Sequence, residues 1–296
     1  NIPYTNMRDW LEEADKLGEV KHVSGASWER DIGMATEVVQ HSETAPCVVF
    51  EDIPGTTPGS RVLVNFFGGK RMNMTLGFPL EYSKIDLSDA FREHYTEDMR
   101  KIPHEIVADG PVLENVIEAD DVDIEAFPAP IWHEGDGGRY IGTGSYNVTR
   151  DPESGWINVG TYRVMIHSRN EVGFYISPGK HGRVHRDKWV ENGEPMPTVI
   201  VLGGDPMTFL MGTSDVPHNV CEYDVVGGIR GEAMQLIEGK HTGLPFPAVA
   251  EIVIEGFVSP TDRRPEGPSG EWTGYYGSNM RAEPVMEIKA IYHRNN

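Results

Sequence analysis

Cysteine is nearly absent: Cys47 and Cys221 are the only two in 296 residues. Two thiols in a chain of this length exclude a disulfide framework and make a reducing, cytoplasmic setting the expectation. Both read as plain buried thiols. Basic residues are scarce too, 26 against 46 acidic ones, for a net charge of −20. Nucleic acid binding needs a basic face, so no such partner is expected. An anionic small molecule would need a local cationic pocket against that field, which makes the position of each arginine informative. No apolar run approaches the roughly 20 residues of a membrane-spanning helix, so no membrane partner is expected. Asn1 to Trp10 lacks the basic-then-apolar pattern of a secretion signal. The G-x-G-x-x-G and P-loop fingerprints are missing, as are internal repeats and low-complexity segments.

What is present falls into two textures. Apolar residues at Met7, Trp10, Leu11, Ala14 and Leu17 have helical spacing, and Ile32 to Val39 repeats it. Cys47–Phe50 and Val62–Phe67 are short β-prone runs bounded by Pro and Gly. Ser88–Tyr95 and Met99–Ile102 are helix-like again. Residues 1–118 therefore read as a small N-terminal α/β domain. An acidic, Pro-ended stretch, Val116 to Ala129, reads as the connector. From Gly138 onward short β-prone runs recur at Tyr140–Val148, Gly160–Ile166, Val172–Ile176, Thr198–Leu202, Glu251–Ile254 and Val285–Tyr292. Many short strands with turn signals predict a barrel or sandwich over 119–296, interrupted by a helix at Asp187–Asn192. The fold class expected is α+β.

Four segments hold residue types that do chemistry. In Trp156–Arg163, Asn158 and Arg163 flank Gly160 on one expected strand, where alternation would point them to opposite faces unless a bulge intervenes. In Ser177–Gly182, His181 lies between glycines on an expected loop, where it could reach a metal or a phosphate. In Val220–Glu232, Glu222 and Glu232 sit beside a Gly-rich turn as candidate ligands. In Arg264–Tyr276, Glu266 and Glu271 lie five apart on a Gly/Pro-stiffened loop. Such a loop can hold two carboxylates in different environments and split their pKa values. A glutamate buried beside Trp272 would stay protonated and serve as a general acid. Taken singly, each segment is equally read as solvated strand residues, a surface histidine, a helix cap or an ordinary turn.

Taken in order, they resemble the UbiD family of reversible decarboxylases. The resemblance is carried by Asn158-Val159-Gly160-x-Tyr162-Arg163, the loop before His181, Glu222-Tyr223-x-x-x-Gly227-Gly228-x-Arg230-Gly231-Glu232, the run Ala250–Gly256, and Glu266-Gly-Pro-x-Gly-Glu271. It implies a split β-barrel that binds prenylated FMN. It implies Asn158, His181 and Glu222 as ligands to Mn²⁺ or Mg²⁺, an O/N set suited to such ions. It implies cofactor contacts from Asn158, Val159, Gly160, Thr161, Tyr162, Arg163, Lys180, His181 and Glu222, and a K⁺ site near Met211–Ser214. Arg163, Glu266 and Glu271 match the family's catalytic trio. The implied reaction is non-oxidative decarboxylation of an unsaturated acid, aromatic or heteroaromatic, through a covalent adduct with the cofactor, with Glu271 as proton donor. A flavin prenyltransferase is the implied cofactor supplier, and a homo-oligomer the implied state of the full-length protein. Family members continue into a further C-terminal domain, so this chain is expected to be a C-terminally truncated member. Two other readings stay open on the residues: a flavin-dependent oxidoreductase on a similar barrel, and a non-catalytic flavin- or metal-binding module.

Overall fold

The computed structural model describes residues 2–96, 100–277 and 279–295. The N-terminal part runs α1 (Met7–Lys16), β1 (Val20–Ser24), α2 (Asp31–Gln40), β2 (Cys47–Glu51), β3 (Val62–Val64), α3 (Gly69–Leu76) and α4 (Lys84–His94). Asn6 starts α1 by accepting the Arg8 and Asp9 amides, and Ser83 with Asp86 forms a capping box on α4. β1 and β2 pair in parallel, β2 and β3 antiparallel. One side of this sheet packs against Ile32 of α2, the other against Trp10 and Ala14 of α1. The expected helix at Met99–Ile102 lies partly outside the described residues.

The rest runs β4 (Glu105–Ile106), β5 (Asn115–Glu118), β6 (Tyr140–Gly142), β7 (Tyr146–Arg150), β8 (Ile157–Gly160), β9 (Arg163–Ser168), β10 (Glu171–Tyr175), α5 (His181–Glu191), β11 (Met196–Leu202), α6 (Pro206–Thr213), α7 (Glu222–Arg230), β12 (Gln235–Glu238), β13 (Pro245–Pro247), β14 (Ile252–Glu266) and β15 (Arg281–His293). The large sheet has the order β6-β9-β10-β15-β14-β11-β7-β8, with β5 added on β15. β4 pairs with β12, and β5 with β15. Residues 105–118, read from composition as the end of the first unit, thus contribute strands to sheets of the second.

The strand order explains the shape. β6 and β9 stand at one end of the sheet, β7 and β8 at the other. Yet three residues join β6 to β7, and two, Thr161 and Tyr162, join β8 to β9. Links that short bring the two ends of the sheet together, so the sheet curls into a half-barrel open along one seam. Asn147 bridges the seam, donating from Nδ2 to the carbonyls of Gly160 and Tyr162 at 3.2 and 3.3 Å. Register shifts along β14 and β15 supply the bend. Inside lie Val164, Ile166, Val172, Phe174, Ile200, Ile254 and Met286. Outside, Val199, Val201 and Val253 pack under α6 and α7 against Met207, Tyr223 and Val226. β11 is buried on both faces, in keeping with its apolar run Val199–Leu202.

Candidate active site

The two-residue link between β8 and β9 places two groups of polar side chains. On the β8 side Asn158 is 2 % exposed. Its Nδ2 donates to Thr149 Oγ1 at 3.3 Å and to Tyr162 Oη at 2.9 Å. With both amide hydrogens committed, Oδ1 is the atom left to coordinate. Tyr162 Oη also accepts the Gly182 amide at 3.0 Å, which ties the strand to the start of α5 and so to His181. Glu222, the first residue of α7, is 3 % exposed, and its Oε2 accepts the Val159 amide at 2.7 Å. Burial pushes the Glu222 carboxyl up to about 8. A buried carboxylate partnered by neutral backbone amides and no cationic side chain suits an adjoining cation. The His181 ring packs edge-on to Trp156 and His218, at 4.9 and 5.7 Å between centroids. Burial, then His218, lowers its basicity, which favours the neutral imidazole that binds metals. Asn158, His181 and Glu222 are thereby connected through Tyr162 and Val159, and their oxygen and nitrogen donors fit a hard or borderline divalent ion.

On the β9 side Arg163 Nε donates to Glu266 Oε1 at 2.9 Å. The guanidinium also lies over the Tyr175 ring, 4.7 Å from its centroid. Glu266 is 1 % exposed, and burial raises its pKa against the pull of Arg163. Its Oε2 is buried without a hydrogen-bond partner, as is His167 Nε2. Both approach Gly173, where a Cβ would meet them at 2.6 and 2.8 Å. The floor beneath Glu266 therefore admits no side chain.

Four expectations change here. Asn158 and Arg163 do not share a strand, because the chain turns at Thr161–Tyr162 and passes to the opposite end of the sheet. His181 opens α5 rather than lying on a loop, and the helix starts six residues earlier than the expected Asp187. Glu266 is the last residue of β14, so only Glu271 of that pair belongs to the loop. Glu271, Trp272 and Tyr275 are exposed, not buried beside one another. Among the described residues, no hydrogen bond or ion pair joins the Glu271 side chain to Arg163 or Glu266. Lys180 caps α5 and is exposed. At the end of α6, Thr213 and Ser214 hydroxyls both donate to the Leu210 carbonyl.

Sequence reasoning missed other parts. His185 is fully buried under Trp156, its Nδ1 3.0 Å from Thr149 Oγ1 and its Nε2 unpartnered. Asp205 binds Arg230 through two oxygens at 2.8 and 3.0 Å, joining α6 to the end of the helix that begins with Glu222. Neither stands in a short motif. Only the pairing of elements far apart in sequence reveals them. A separate cavity of about 250 Å³ between the N-terminal part and the half-barrel is lined by Leu11, Phe66, Phe127, Trp132, Tyr140 and Ile252, and holds none of the polar groups just described.

Comparison with known proteins agrees with this architecture. Residues 105–296 match the family described as UbiD: 3-octaprenyl-4-hydroxybenzoate carboxy-lyase Rift-related domain. The chain belongs to that family. It is 31% identical over 302 residues to the pyrrole-2-carboxylic acid decarboxylase of Pseudomonas aeruginosa, covering 99% of this chain and 60% of the relative. It is 29% identical to the phenolic acid decarboxylase of Bacillus subtilis, covering 100% of this chain and 63% of that one. The closed form of vanillic acid decarboxylase from Sedimentibacter hydroxybenzoicus superposes with a TM-score of 0.90 at 29% identity, over 99% of this chain and 62% of that one. The UbiD-class enzyme HmfF of Pelotomaculum thermopropionicum, solved with prFMN, gives 0.86 at 25% identity, over 99% and 66%. The chain spans 60–63% of the length of the curated relatives it matches.

Proposed function

We propose that this protein belongs to a carboxy-lyase that decarboxylates an unsaturated acid, aromatic or heteroaromatic, reversibly and without net oxidation. One observation carries the reading: the Thr161–Tyr162 link joins the strand of buried Asn158, whose neighbour Val159 donates to buried Glu222, to a half-buried Arg163 held by buried Glu266, which gives a cation and a carboxylate each a suited partner. The relatives support the substrate class, since their names specify pyrrole-2-carboxylic, phenolic and vanillic acids.

Asn158 Oδ1, His181 and Glu222 would hold Mn²⁺ or Mg²⁺ beside prenylated FMN. Lys180, Val159 and Gly160 would lie along the cofactor. When bound, the modified flavin supplies the electron sink that an sp² carbon lacks when it loses CO₂. The chain's own residues do the rest. Arg163 orients the substrate carboxylate, its fork being matched to two oxygens. Glu266 holds Arg163 in place through Oε1. The C–CO₂ bond breaks, CO₂ leaves, and Glu271 delivers a proton to the vacated carbon. Exposure of Glu271 lets it regain that proton from water.

The test is co-expression of the whole protein with a flavin prenyltransferase in the presence of Mn²⁺, followed by absorbance, intact-ligand mass and assay of CO₂ release from aromatic acids. Prenylated flavin and CO₂ release, abolished in Glu271→Gln, are expected. Unmodified flavin with nicotinamide-dependent turnover would overturn the proposal in favour of an oxidoreductase.

A further inference from the structure

The loop that carries Glu271 is held at its base by a segment outside every motif discussed above. That segment is Trp132-His133-Glu134-Gly135-Asp136-Gly137, in the connector before β6. Asp136 is its centre. The carboxylate is 1 % exposed and accepts three backbone amides: Trp132 at 3.1 Å and His133 at 2.9 Å on Oδ2, and Gly270 at 2.7 Å on Oδ1. Hydrogen bonds to a buried ionised acceptor are about twice as strong as neutral ones. Gly270 immediately precedes Glu271.

Further contacts reinforce the same junction. The Gly137 amide donates to the Pro268 carbonyl at 2.8 Å, and Tyr140 Oη to the same oxygen at 3.3 Å. The Gly135 amide donates to Tyr276 Oη at 2.8 Å. Within the loop, Gly270 bridges to Tyr276, and the Glu271 amide donates to the Tyr275 carbonyl at 2.9 Å. The approach is too close for side chains: a Cβ on Gly270 would lie 2.4 Å from the His133 ring, and one on Gly137 2.0 Å from the Gly267 carbonyl. The connector is in turn fastened to the N-terminal part. The Ile131 amide donates to the Trp28 carbonyl at 3.0 Å, and His133 Nε2 lies 3.5 Å from Glu37 of α2.

We infer that Asp136 is a positioning residue for Glu271, tethering the base of its loop to the N-terminal part while leaving the glutamate side chain free to reach substrate. The inference rests on the decarboxylase reading above. A misplacement of the order of 1 Å at a reacting group can cost about 100-fold in rate. Loss of the tether therefore reads out in turnover rather than in cofactor or substrate binding.

The experiment compares wild-type protein, Asp136→Ala, Asp136→Asn and Tyr276→Phe, each purified with bound flavin. Amide hydrogen exchange over 267–276 and steady-state kinetics are measured on all four. In Asp136→Ala, exchange in that loop is expected to accelerate on the order of tenfold or more while β14 and β15 stay protected. kcat is expected to fall on the order of 10- to 100-fold, with KM and flavin content little changed. Asp136→Asn, which keeps one acceptor for Gly270, should fall between, and exposed Tyr276→Phe should move both readouts the same way by less. If Asp136→Ala does not fold, the other two variants decide. Wild-type loop exchange and wild-type kcat in the variants that fold would overturn the inference. Absence of CO₂ release from the flavin-loaded wild type would instead overturn the decarboxylase reading, and the exchange measurement would still decide whether Asp136 holds the loop.

Discussion

At the scale of single residues, the site is a set of polar groups made specific by burial. His185 shows the energetic side. It lies under Trp156 beside Thr149, and burial lowers its pKa to about 4, with Asp151 opposing and His181, Lys188 and His218 assisting. In the unfolded chain the ring titrates near 6.5. Between pH 6.5 and 4 the unfolded state thus binds a proton that the folded state refuses, so stability is lost as pH falls through that window. The shift corresponds to up to about 3 kcal/mol. His185→Gln removes the titration. Urea unfolding of both proteins from pH 7 to 4 should show wild type losing stability relative to the variant as pH drops. Parallel curves would mean that the ring takes up its proton without unfolding. Glu222 is perturbed by the same burial, and the cation proposed there would relieve the cost, whereas His185 stays a buried neutral ring.

At the scale of elements, what matters is how α6, α7 and the strand ends are clamped. Asp205 accepts the Met207 amide at the start of α6 and grips Arg230 at the end of α7, while Arg230 also stacks on Tyr4 and donates to its carbonyl. Both charges are almost fully buried, 1 % and 7 % exposed. Removing one partner leaves the other uncompensated, at roughly 3–5 kcal/mol. Asp205→Ala is therefore expected to lower the urea midpoint severely. It should also weaken Mn²⁺-dependent flavin retention, because α7 presents Glu222. An unchanged midpoint would show that Arg230 finds water instead. Arg230 stands in one of the motifs quoted above, but its pairing with Asp205, 25 residues away, is not visible in sequence, since no periodicity links the two. The strands were legible, because alternation and flanking Gly and Pro are local signals. Their ends were less so. β14 runs twelve residues beyond the expected Ile254 and delivers Glu266, because pairing with β15 sustains Arg263–Glu266 in a stretch with no apolar alternation of its own. His181 read as a loop residue because Gly179 and Gly182 suggest a turn, yet Gly179, at φ +86°, ends the turn and α5 begins two residues later. The chemistry of the site was legible only through several motifs read jointly, and the buried partners Thr149, His185 and Asp136 depend on non-local packing.

At the scale of the whole chain, the charge of −20 opposes the approach of the carboxylate substrate proposed above. Arg163 offers a local cationic partner, but Glu266 already neutralises part of it, so distant acidic groups still bear on an approaching carboxylate. Their reach is set by salt: the screening length is about 30 Å at 0.01 M and about 8 Å at 0.15 M. At low salt the summed field of this acidic surface extends over a protein of this size and opposes entry. At 0.15 M it fades beyond the nearest side chains, while the Arg163–carboxylate contact, half-buried and short-range, is screened far less. Raising ionic strength over that interval should therefore lower KM for an aromatic carboxylate by a factor of about two to several and leave kcat unchanged, opposite in sign to an enzyme that steers its substrate by attraction. The control is a neutral competitive ligand of the same ring size, whose inhibition constant should not move. A KM that rises with salt would show that the local attraction of Arg163 outweighs the global field.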